Sequence, residues 1–166
     1  MKKALSILIL GALPAIALAA GDHAGGHGHQ SHDMSGMHKA APASMVGEPG
    51  DLSKVSRTIE IAMDDSMRYT PGKIDVKAGE TIRFFVKNTG KIQHEMVIGS
   101  MDELKEHAEM MRKMPGMEHA EPNMITLKPG QRGGIVWKFD KPGAVDFACL
   151  MPGHMEAGMV GKVMIE

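Results

Sequence analysis

Three residues near the C-terminus carry side chains that could bind one metal ion together. Cys149, His154 and Met159 fall within the segment CLMPGHMEAGM, so a thiolate, an imidazole and a thioether lie close in sequence. Cys149 is the only cysteine of the chain, which excludes an internal disulfide. Thiolate, thioether and imidazole together suit copper in both oxidation states. Zinc is the alternative metal, but zinc sites seldom recruit methionine, so the donor set favours copper.

A second imidazole, His94, lies far upstream in the segment HEMVIG. Alternate residues of a strand face the same side, and His94 shares its parity with two apolar residues, Met96 and Ile98. Cys149 and Met159 likewise share parity with apolar residues of the strands beside them, namely Val145, Phe147, Val163 and Ile165. We therefore predict that the two sulfurs face inward at one end of the sandwich, where His94, from a distant strand, completes a set of four donors with His154. They would hold one copper ion, with Met159 as a weak axial ligand.

Short runs of alternating polarity, separated by Gly, Pro and Asn, must position these donors. Apolar residues share one face in three of the runs: Ile59, Ile61 and Met63; Ile82, Phe84 and Val86; Ile135, Trp137 and Phe139. Seven or eight such strands over roughly 110 residues predict an all-β fold, an antiparallel Greek-key β-sandwich.

One segment departs from the strand pattern. Residues 101–113 contain no Gly, Pro or β-branched residue, and Met101, Leu104, Ala108 and Met111 recur at spacings of three and four. This periodicity predicts a short helix inserted between strands.

Residues 1–19 have the features of a secretory signal peptide. Lys2 and Lys3 precede an apolar run, and Ala17-Leu18-Ala19 offers small residues for cleavage near Ala19. A membrane anchor is the alternative, but the run is shorter than the roughly 20 apolar residues that span a bilayer. We therefore expect no membrane span in the mature protein. Its 17 basic and 20 acidic residues also lack the excess of positive charge that nucleic-acid binding requires, so no nucleic-acid partner is expected.

The mature chain is predicted to begin with a flexible tail, residues 20–56, followed by one domain, residues 57–166. The tail is too poor in large apolar side chains to fold by itself. It contains potential copper donors at His23, His27, His29, His32, Met34, Met37 and His38. A solvated linker with incidental histidines is the alternative interpretation.

A second group of potential copper donors lies in and just after the predicted helix, at Met110, Met114, Met117 and His119. Thioethers on a loop near a copper site are soft donors for Cu(I), so this group predicts an auxiliary, weakly binding copper site. Met101, Leu104 and Met111 are expected to pack in the core instead, because methionine fills irregular gaps there.

The stretch YTPGKIDVKAGETIRFFVKNTGKIQHEMVIG, followed by CLMPGHMEAGM, resembles the cupredoxin family of small blue or green copper proteins. The resemblance extends over about residues 58–166. It implies a type 1 copper centre with His94, Cys149, His154 and Met159 as ligands. Many cupredoxins have Asn directly after the upstream histidine, where it joins the two ligand loops by hydrogen bonds. This chain has Glu95 there, so the resemblance leaves that link unassigned.

The signal peptide, the His/Met-rich tail and the Met-rich insertion together resemble the periplasmic copper-tolerance cupredoxins of Gram-negative bacteria. This resemblance implies a periplasmic protein that acts in copper tolerance and homeostasis. The alternative is a mobile periplasmic electron-transfer protein whose redox partner docks near His154, beside Met151, Pro152 and Met155. An enzyme is not expected, because catalysis on oxygen or nitrite would need further copper centres. The additional His and Met residues favour copper handling.

Overall fold

The computed structural model describes residues 46–114 and 120–166, which form a sandwich of two five-stranded sheets. The strands are β1 (Glu48–Pro49), β2 (Arg57–Asp64), β3 (Arg68–Thr70), β4 (Lys73–Val76), β5 (Glu80–Asn88), β6 (His94–Gly99), β7 (Met124–Leu127), β8 (Arg132–Phe139), β9 (Gly143–Ala148) and β10 (Val160–Ile165). A 3-10 turn covers Leu52–Lys54, and the helix α1 covers Met101–Lys113. The predicted all-β sandwich with one short inserted helix is confirmed.

The strand order is β1-β8-β5-β2-β3 in the first sheet and β4-β10-β9-β6-β7 in the second. Two neighbouring pairs, β2 with β5 and β4 with β10, are parallel, and the other pairs are antiparallel. The prediction of an antiparallel sandwich is therefore corrected in part. The chain moves from β3 in the first sheet to β4 in the second, and then returns as β5. Because β3 is antiparallel to β2 and the chain reverses its direction only once more, net, before β5, β5 runs in the same direction as β2.

The core lies between the two sheets and contains the faces that the alternating pattern predicts. The innermost side chains of the first sheet are fully or almost fully buried, at Ile61, Met63, Ile82, Phe84, Val86, Ile135, Trp137 and Phe139. Ile59 is partly buried at the edge of the same cluster. The four predicted metal ligands all lie on strand β6 or on the loop between β9 and β10, which are parts of the second sheet. The metal ligands are therefore attached to a hydrophobic core.

Helix α1 lies between β6 and β7 and has the bounds that its periodicity predicts. It begins with a capping box. The Ser100 hydroxyl oxygen accepts a hydrogen bond from the Glu103 amide, and the Glu103 carboxylate accepts one from the Ser100 amide. Leu104 and Ala108 are buried against a small cluster of the second sheet. Near the end of the helix, an Arg112 nitrogen lies 2.7 Å from a carboxylate oxygen of Glu156. Helix α1 therefore also contacts the loop between β9 and β10 through an exposed ion pair.

Residues 46–54 pack against the first sheet, upstream of the boundary that the sequence predicts at residue 57. Glu48 and Pro49 pair with Lys138 and Trp137 of β8. The indole N–H of Trp137 also donates to the carbonyl of the buried Val46 at 2.8 Å. A two-residue strand containing proline has too little alternation to be recognised in a sequence, which explains the later predicted boundary. The predicted signal peptide and the tail up to residue 45 lie outside the described residues.

The described segments, 46–114 and 120–166, include no helix with the length and apolar character needed to cross a membrane. The predicted domain boundaries at residues 19 and 20 remain predictions.

Replacing Gly161 by alanine tests how closely the Phe147 ring packs over its cross-strand neighbour Gly161 on the core side of the second sheet. The added methyl group would overlap the Phe147 ring and lie 2.9 Å from the Gly72 carbonyl oxygen. Because Phe147 is fully buried, we expect Gly161→Ala to lower the free energy of unfolding by about 1–3 kcal/mol. Urea denaturation of the metal-free protein measures this change.

The matched control is the neighbouring Lys162→Ala, which removes a surface ion pair with Asp146. Such a pair contributes at most about 1 kcal/mol. Equal and small effects of the two substitutions would show that the space beside Gly161 is not tightly packed.

Candidate metal centre

Three donor side chains converge at one end of the sandwich. Their ligand atoms, one each from His94, Cys149 and His154, all lie within 4.8 Å of one another. The Cys149 Sγ lies 3.2 Å from the His154 Nδ1, and the two imidazole centroids are 5.0 Å apart. Donors that each lie about 2.0–2.3 Å from one ion are about 3.5–4 Å apart in a trigonal plane. The three side chains are therefore close enough to share one metal ion.

His94 is fully buried, and only one of its two ring nitrogens has a hydrogen-bond partner. Its Nε2 lies 3.1 Å from a carboxylate oxygen of Asp65. In the part of the chain that the structure describes, Nδ1 of His94 is the one buried side-chain nitrogen or oxygen without a partner. An unsatisfied buried polar atom costs about 1–3 kcal/mol. A metal ion bound at Nδ1 would remove this cost, so the donor set fits a bound ion.

The loop before β6 positions His94. Asn88, at the end of β5, donates from its side-chain amide to the carbonyls of Ile92 at 2.7 Å and Leu127 at 2.9 Å. Its Oδ1 accepts from the Gly90 amide at 2.9 Å. The buried Asn88 thus organises the whole turn, and the turn fixes where β6 begins and where the His94 imidazole lies.

The second ligand loop, residues 149–159, joins β9 to β10 in successive turns. At its base, the Cys149 amide donates to the Met159 carbonyl at 3.1 Å, and the Met159 amide donates to the His154 carbonyl at 3.0 Å. From the first sheet, the Arg68 guanidinium donates to the Ala157 carbonyl at 3.0 Å. These bonds hold the loop closed, with its cysteine and its histidine on the same side.

The Cys149 sulfur is buried and receives backbone hydrogen bonds. The Glu95 amide donates to Sγ at 3.3 Å, and the Met151 amide also interacts with the sulfur. Burial outweighs these bonds and raises the pKa of the Cys149 thiol to about 11. The metal-free thiol is therefore protonated at neutral pH, and a bound metal ion must displace its proton.

His154 lies at the rim of the site and is partly exposed, whereas His94 and Cys149 are fully buried. Burial, and then the neighbouring His94, lower the pKa of His154 from its usual value of 6.5. His154 is thus neutral at neutral pH, which is the form that binds metal. Met159 is fully buried in the main core cluster, on the inward face that its parity predicts.

Glu95 takes part in this site through its backbone and through its side chain. The Glu95 amide links the two ligand loops by donating to Cys149 Sγ, while its buried carboxylate accepts from Thr126 Oγ1 of β7 at 2.9 Å. The Tyr69 hydroxyl donates to the Glu95 carbonyl at 2.6 Å, and the Tyr69 ring contacts Phe147 edge to face. The sequence gives no local signal for Tyr69 or Thr126, because both approach residue 95 only through the fold.

The predicted auxiliary copper donors fall into two groups. Met110 and Met114 lie at the end of α1 and are 43% and 37% exposed, respectively. The remaining predicted donors lie outside the described residues: His23, His27, His29, His32, Met34, Met37, His38, Met117 and His119. Leu104 is buried in the small cluster of the second sheet, which confirms its predicted core position, whereas Met101 and Met111 are only partly buried.

A His-Cys-His cluster at the end of a two-sheet sandwich defines this protein as a cupredoxin with a candidate type 1 copper site. The family model described as copper-binding proteins of the plastocyanin/azurin family matches residues 55–166. The chain belongs to this family, and the predicted cupredoxin membership and copper cofactor are confirmed.

Comparison with known proteins gives relatives along most of the chain. It is 48% identical over 140 residues to the copper-resistant cuproprotein CopI of Rubrivivax gelatinosus, and the match covers 84% of each protein. It is 38% identical over 138 residues to the copper-resistant cuproprotein CopI of Vibrio cholerae, with 82% of each protein covered.

Solved structures with the same fold include two auracyanins. A dithionite-reduced auracyanin of Roseiflexus castenholzii matches with a TM-score of 0.57 and 28% identity, covering 68% of this chain and 98% of the auracyanin. Auracyanin B matches with a TM-score of 0.59 and 19% identity, covering 75% and 99% of the two chains. The second likeness shows the fold alone.

Binding of Zn²⁺ to the metal-free protein should release the proton of Cys149. At pH 8 a thiol with a pKa of about 11 is protonated, whereas a metal-bound thiolate is not. We expect the wild-type protein to release about one more proton per bound Zn²⁺ than Cys149→Ala. For each pH unit between about pH 7 and 10, the apparent Zn²⁺ affinity of the wild type should also rise about tenfold more than the affinity of Cys149→Ala does.

Proton release can be measured with an indicator dye in weakly buffered solution, and affinity by competition with a chelator. Zinc is the suitable probe because it cannot oxidise the free thiol. Equal proton release by the two proteins would mean that the thiol is already ionised before metal binds.

Proposed function

We propose that this protein is an exported periplasmic cupredoxin that binds copper and protects the cell envelope against excess copper. The observation that carries the proposal is the cluster of His94, Cys149 and His154, whose ligand atoms lie within 4.8 Å of one another. In this cluster the buried His94 Nδ1 has no hydrogen-bond partner. The two relatives named copper-resistant cuproproteins support the same role, because they match over more than four fifths of the chain.

In this proposal His94, Cys149, His154 and Met159 would hold the copper ion, which would supply a one-electron redox couple there. His94 would bind through Nδ1, because its Nε2 faces Asp65. The Met159 thioether would be the fourth donor, because Met159 is fully buried in the same core cluster as Cys149.

Export to the periplasm is part of the proposal and rests on residues 1–19, with cleavage near Ala19. The absence of a catalytic role is also proposed. One His-Cys-His cluster occurs among the residues that the structure describes, and it supplies donors for a single mononuclear centre rather than for the several copper centres of oxidising enzymes.

Electron transfer is the second candidate function, and the exposure of His154 favours it. This ligand is partly exposed, and Met151 and Met155 beside it are also only partly buried. An apolar surface around an accessible copper ligand can dock a redox partner. The same surface, however, is equally accessible to an incoming copper ion.

Auxiliary copper binding distinguishes the two candidate functions. We propose that the tail donors and the Met110, Met114, Met117 and His119 group bind further copper weakly. Met110 and Met114 support this proposal, because they are exposed at the end of a helix whose Arg112 contacts Glu156 of the ligand loop. Exposed thioethers are soft donors for Cu(I).

Copper stoichiometry of the mature full-length protein tests the auxiliary sites. We expect more than one Cu(I) per chain in the wild type. We expect fewer in a variant whose tail donors are replaced by alanine, and fewer in the double variant Met110→Ala, Met114→Ala. Glu106→Ala and Glu109→Ala on the same helix serve as the control pair. A stoichiometry of one for every protein would favour the electron shuttle.

Growth of the host on copper tests the function itself. We expect deletion of the gene to increase sensitivity to copper and to leave respiration unchanged at ordinary copper concentrations. The wild-type gene should restore tolerance, whereas Cys149→Ala should not, because it lacks the thiolate donor. A respiratory defect without copper sensitivity would instead assign the electron-transfer role.

The purified wild type should show an intense sulfur-to-copper absorption band after oxidation, which Cys149→Ala should lack.

A further inference from the structure

We propose that Asp65 is a positioning residue for the copper ligand His94: its carboxylate accepts the Nε2–H of the imidazole and thereby presents Nδ1 to the metal. Asp65 lies in the turn between β2 and β3, in the sheet opposite the one that carries the ligands. The inference deepens the proposed function and depends on copper binding at the site described above.

The Asp65 carboxylate is held by the loop that leads into β6. Oδ2 accepts from the Lys91 amide at 2.8 Å, and Oδ1 lies 3.4 Å from the Ile92 amide and 3.1 Å from His94 Nε2. Backbone amides can only donate, so both carboxylate oxygens of Asp65 act as acceptors in these contacts. An ionised carboxylate has no hydrogen of its own to donate to His94.

A carboxylate at Nε2 decides which imidazole nitrogen binds the metal. A neutral imidazole carries one N–H, and the carboxylate of Asp65 places that hydrogen on Nε2. The lone pair is then on Nδ1, which is the buried nitrogen without a partner in the described part of the chain. Carboxylates behind metal-binding histidines fix the tautomer and the ring orientation, and they make the imidazole a stronger donor.

Gly90 provides the space that the carboxylate occupies. A Cβ atom at this position would overlap Asp65 Oδ1 and lie 2.8 Å from the carboxylate carbon. Gly90 is not among the residues with a positive φ, so close approach of Asp65, rather than backbone conformation, requires glycine here. The β2–β3 turn thus supplies the carboxylate, and the glycine in the β5–β6 loop leaves the space for it.

The expected consequence concerns the balance between the two copper oxidation states. A nearby negative charge and a more basic imidazole stabilise Cu(II) more than Cu(I), because Cu(II) carries the larger charge. Loss of such a supporting group typically lowers metal affinity tenfold to a hundredfold. If Cu(II) affinity falls tenfold more than Cu(I) affinity, the reduction potential rises by about 59 mV for this one-electron couple.

The central comparison is Asp65→Asn against Asp64→Asn. Both substitutions remove one negative charge, at adjacent positions. Asp64 hydrogen-bonds locally to the amide and hydroxyl of Ser66 rather than to His94. We expect Asp65→Asn to lower the Cu(II) affinity of the full-length protein tenfold or more and to raise its reduction potential by about 59 mV or more. Asp64→Asn should change both much less.

A third variant, Gly90→Ala, separates position from charge. It keeps every charged group, but its methyl group would displace the Asp65 carboxylate from His94. We expect the potential to rise as in Asp65→Asn. Voltammetry measures the potential, and competition with chelators for Cu(I) and Cu(II) measures the two affinities. Unfolding midpoints of the metal-free variants show whether each one is folded.

The imidazole tautomer provides a measurement that needs neither copper nor a variant. Long-range proton–nitrogen NMR spectra of the metal-free wild type should show His94 with its hydrogen on Nε2. A hydrogen on Nδ1 instead would overturn the proposal, even if a variant fails to fold. Equal potentials and Cu(II) affinities for folded Asp65→Asn and Asp64→Asn would overturn it as well. Failure of the proposed function would be distinct, since the wild type would then bind no copper with a sulfur-to-copper absorption band.

Discussion

The metal centre depends on a buried imidazole whose two nitrogens lie in opposite environments. One nitrogen of His94 faces the Asp65 carboxylate, and the other has no hydrogen-bond partner in the described part of the chain. The imidazole belongs to one cluster with Cys149 and His154. An unsatisfied nitrogen is unfavourable in a protein core, so a metal-free chain of this shape retains a local cost that a bound ion removes. Folding of the sandwich therefore brings the donors together before metal binds, and the ion does not have to assemble them.

The core and the site are joined by a continuous series of contacts. Gly161 leaves room for the Phe147 ring, which packs edge to face on Tyr69. The Tyr69 hydroxyl binds the Glu95 carbonyl, and the Glu95 amide donates to the cysteine sulfur. Protein interiors are packed closely enough to transmit small displacements. The position of the sulfur is consequently set by residues of both sheets, and a change in the packing between the sheets reaches the metal donors.

Much of this arrangement can be predicted from the sequence, because strand parity is a local property. The alternating pattern predicts the inward faces of the strands, with His94, Cys149 and Met159 on them, and the separate spacing of three and four predicts the helix over 101–113. Asp65 and Tyr69 are not predictable in this way, since they reach the site from a turn and a strand distant in sequence and carry no motif. Val46 and β1 lie upstream of the predicted domain start at residue 57, because they are held by contacts with Trp137 and β8 and not by a pattern of their own.

The ligands of the site differ in their exposure to solvent. His94 and Cys149 are fully buried, while His154 lies partly exposed at the rim, so a metal ion or an electron reaches the centre most directly past His154. This geometry suits copper storage and electron transfer equally well. The features that could distinguish the two roles therefore lie outside the donor cluster, where Arg112 of α1 makes an exposed ion pair with Glu156 of the loop that carries His154. Met110 and Met114 are exposed at the end of that helix. Further soft donors of this kind are what the proposed copper-handling role would use and an electron carrier would not need.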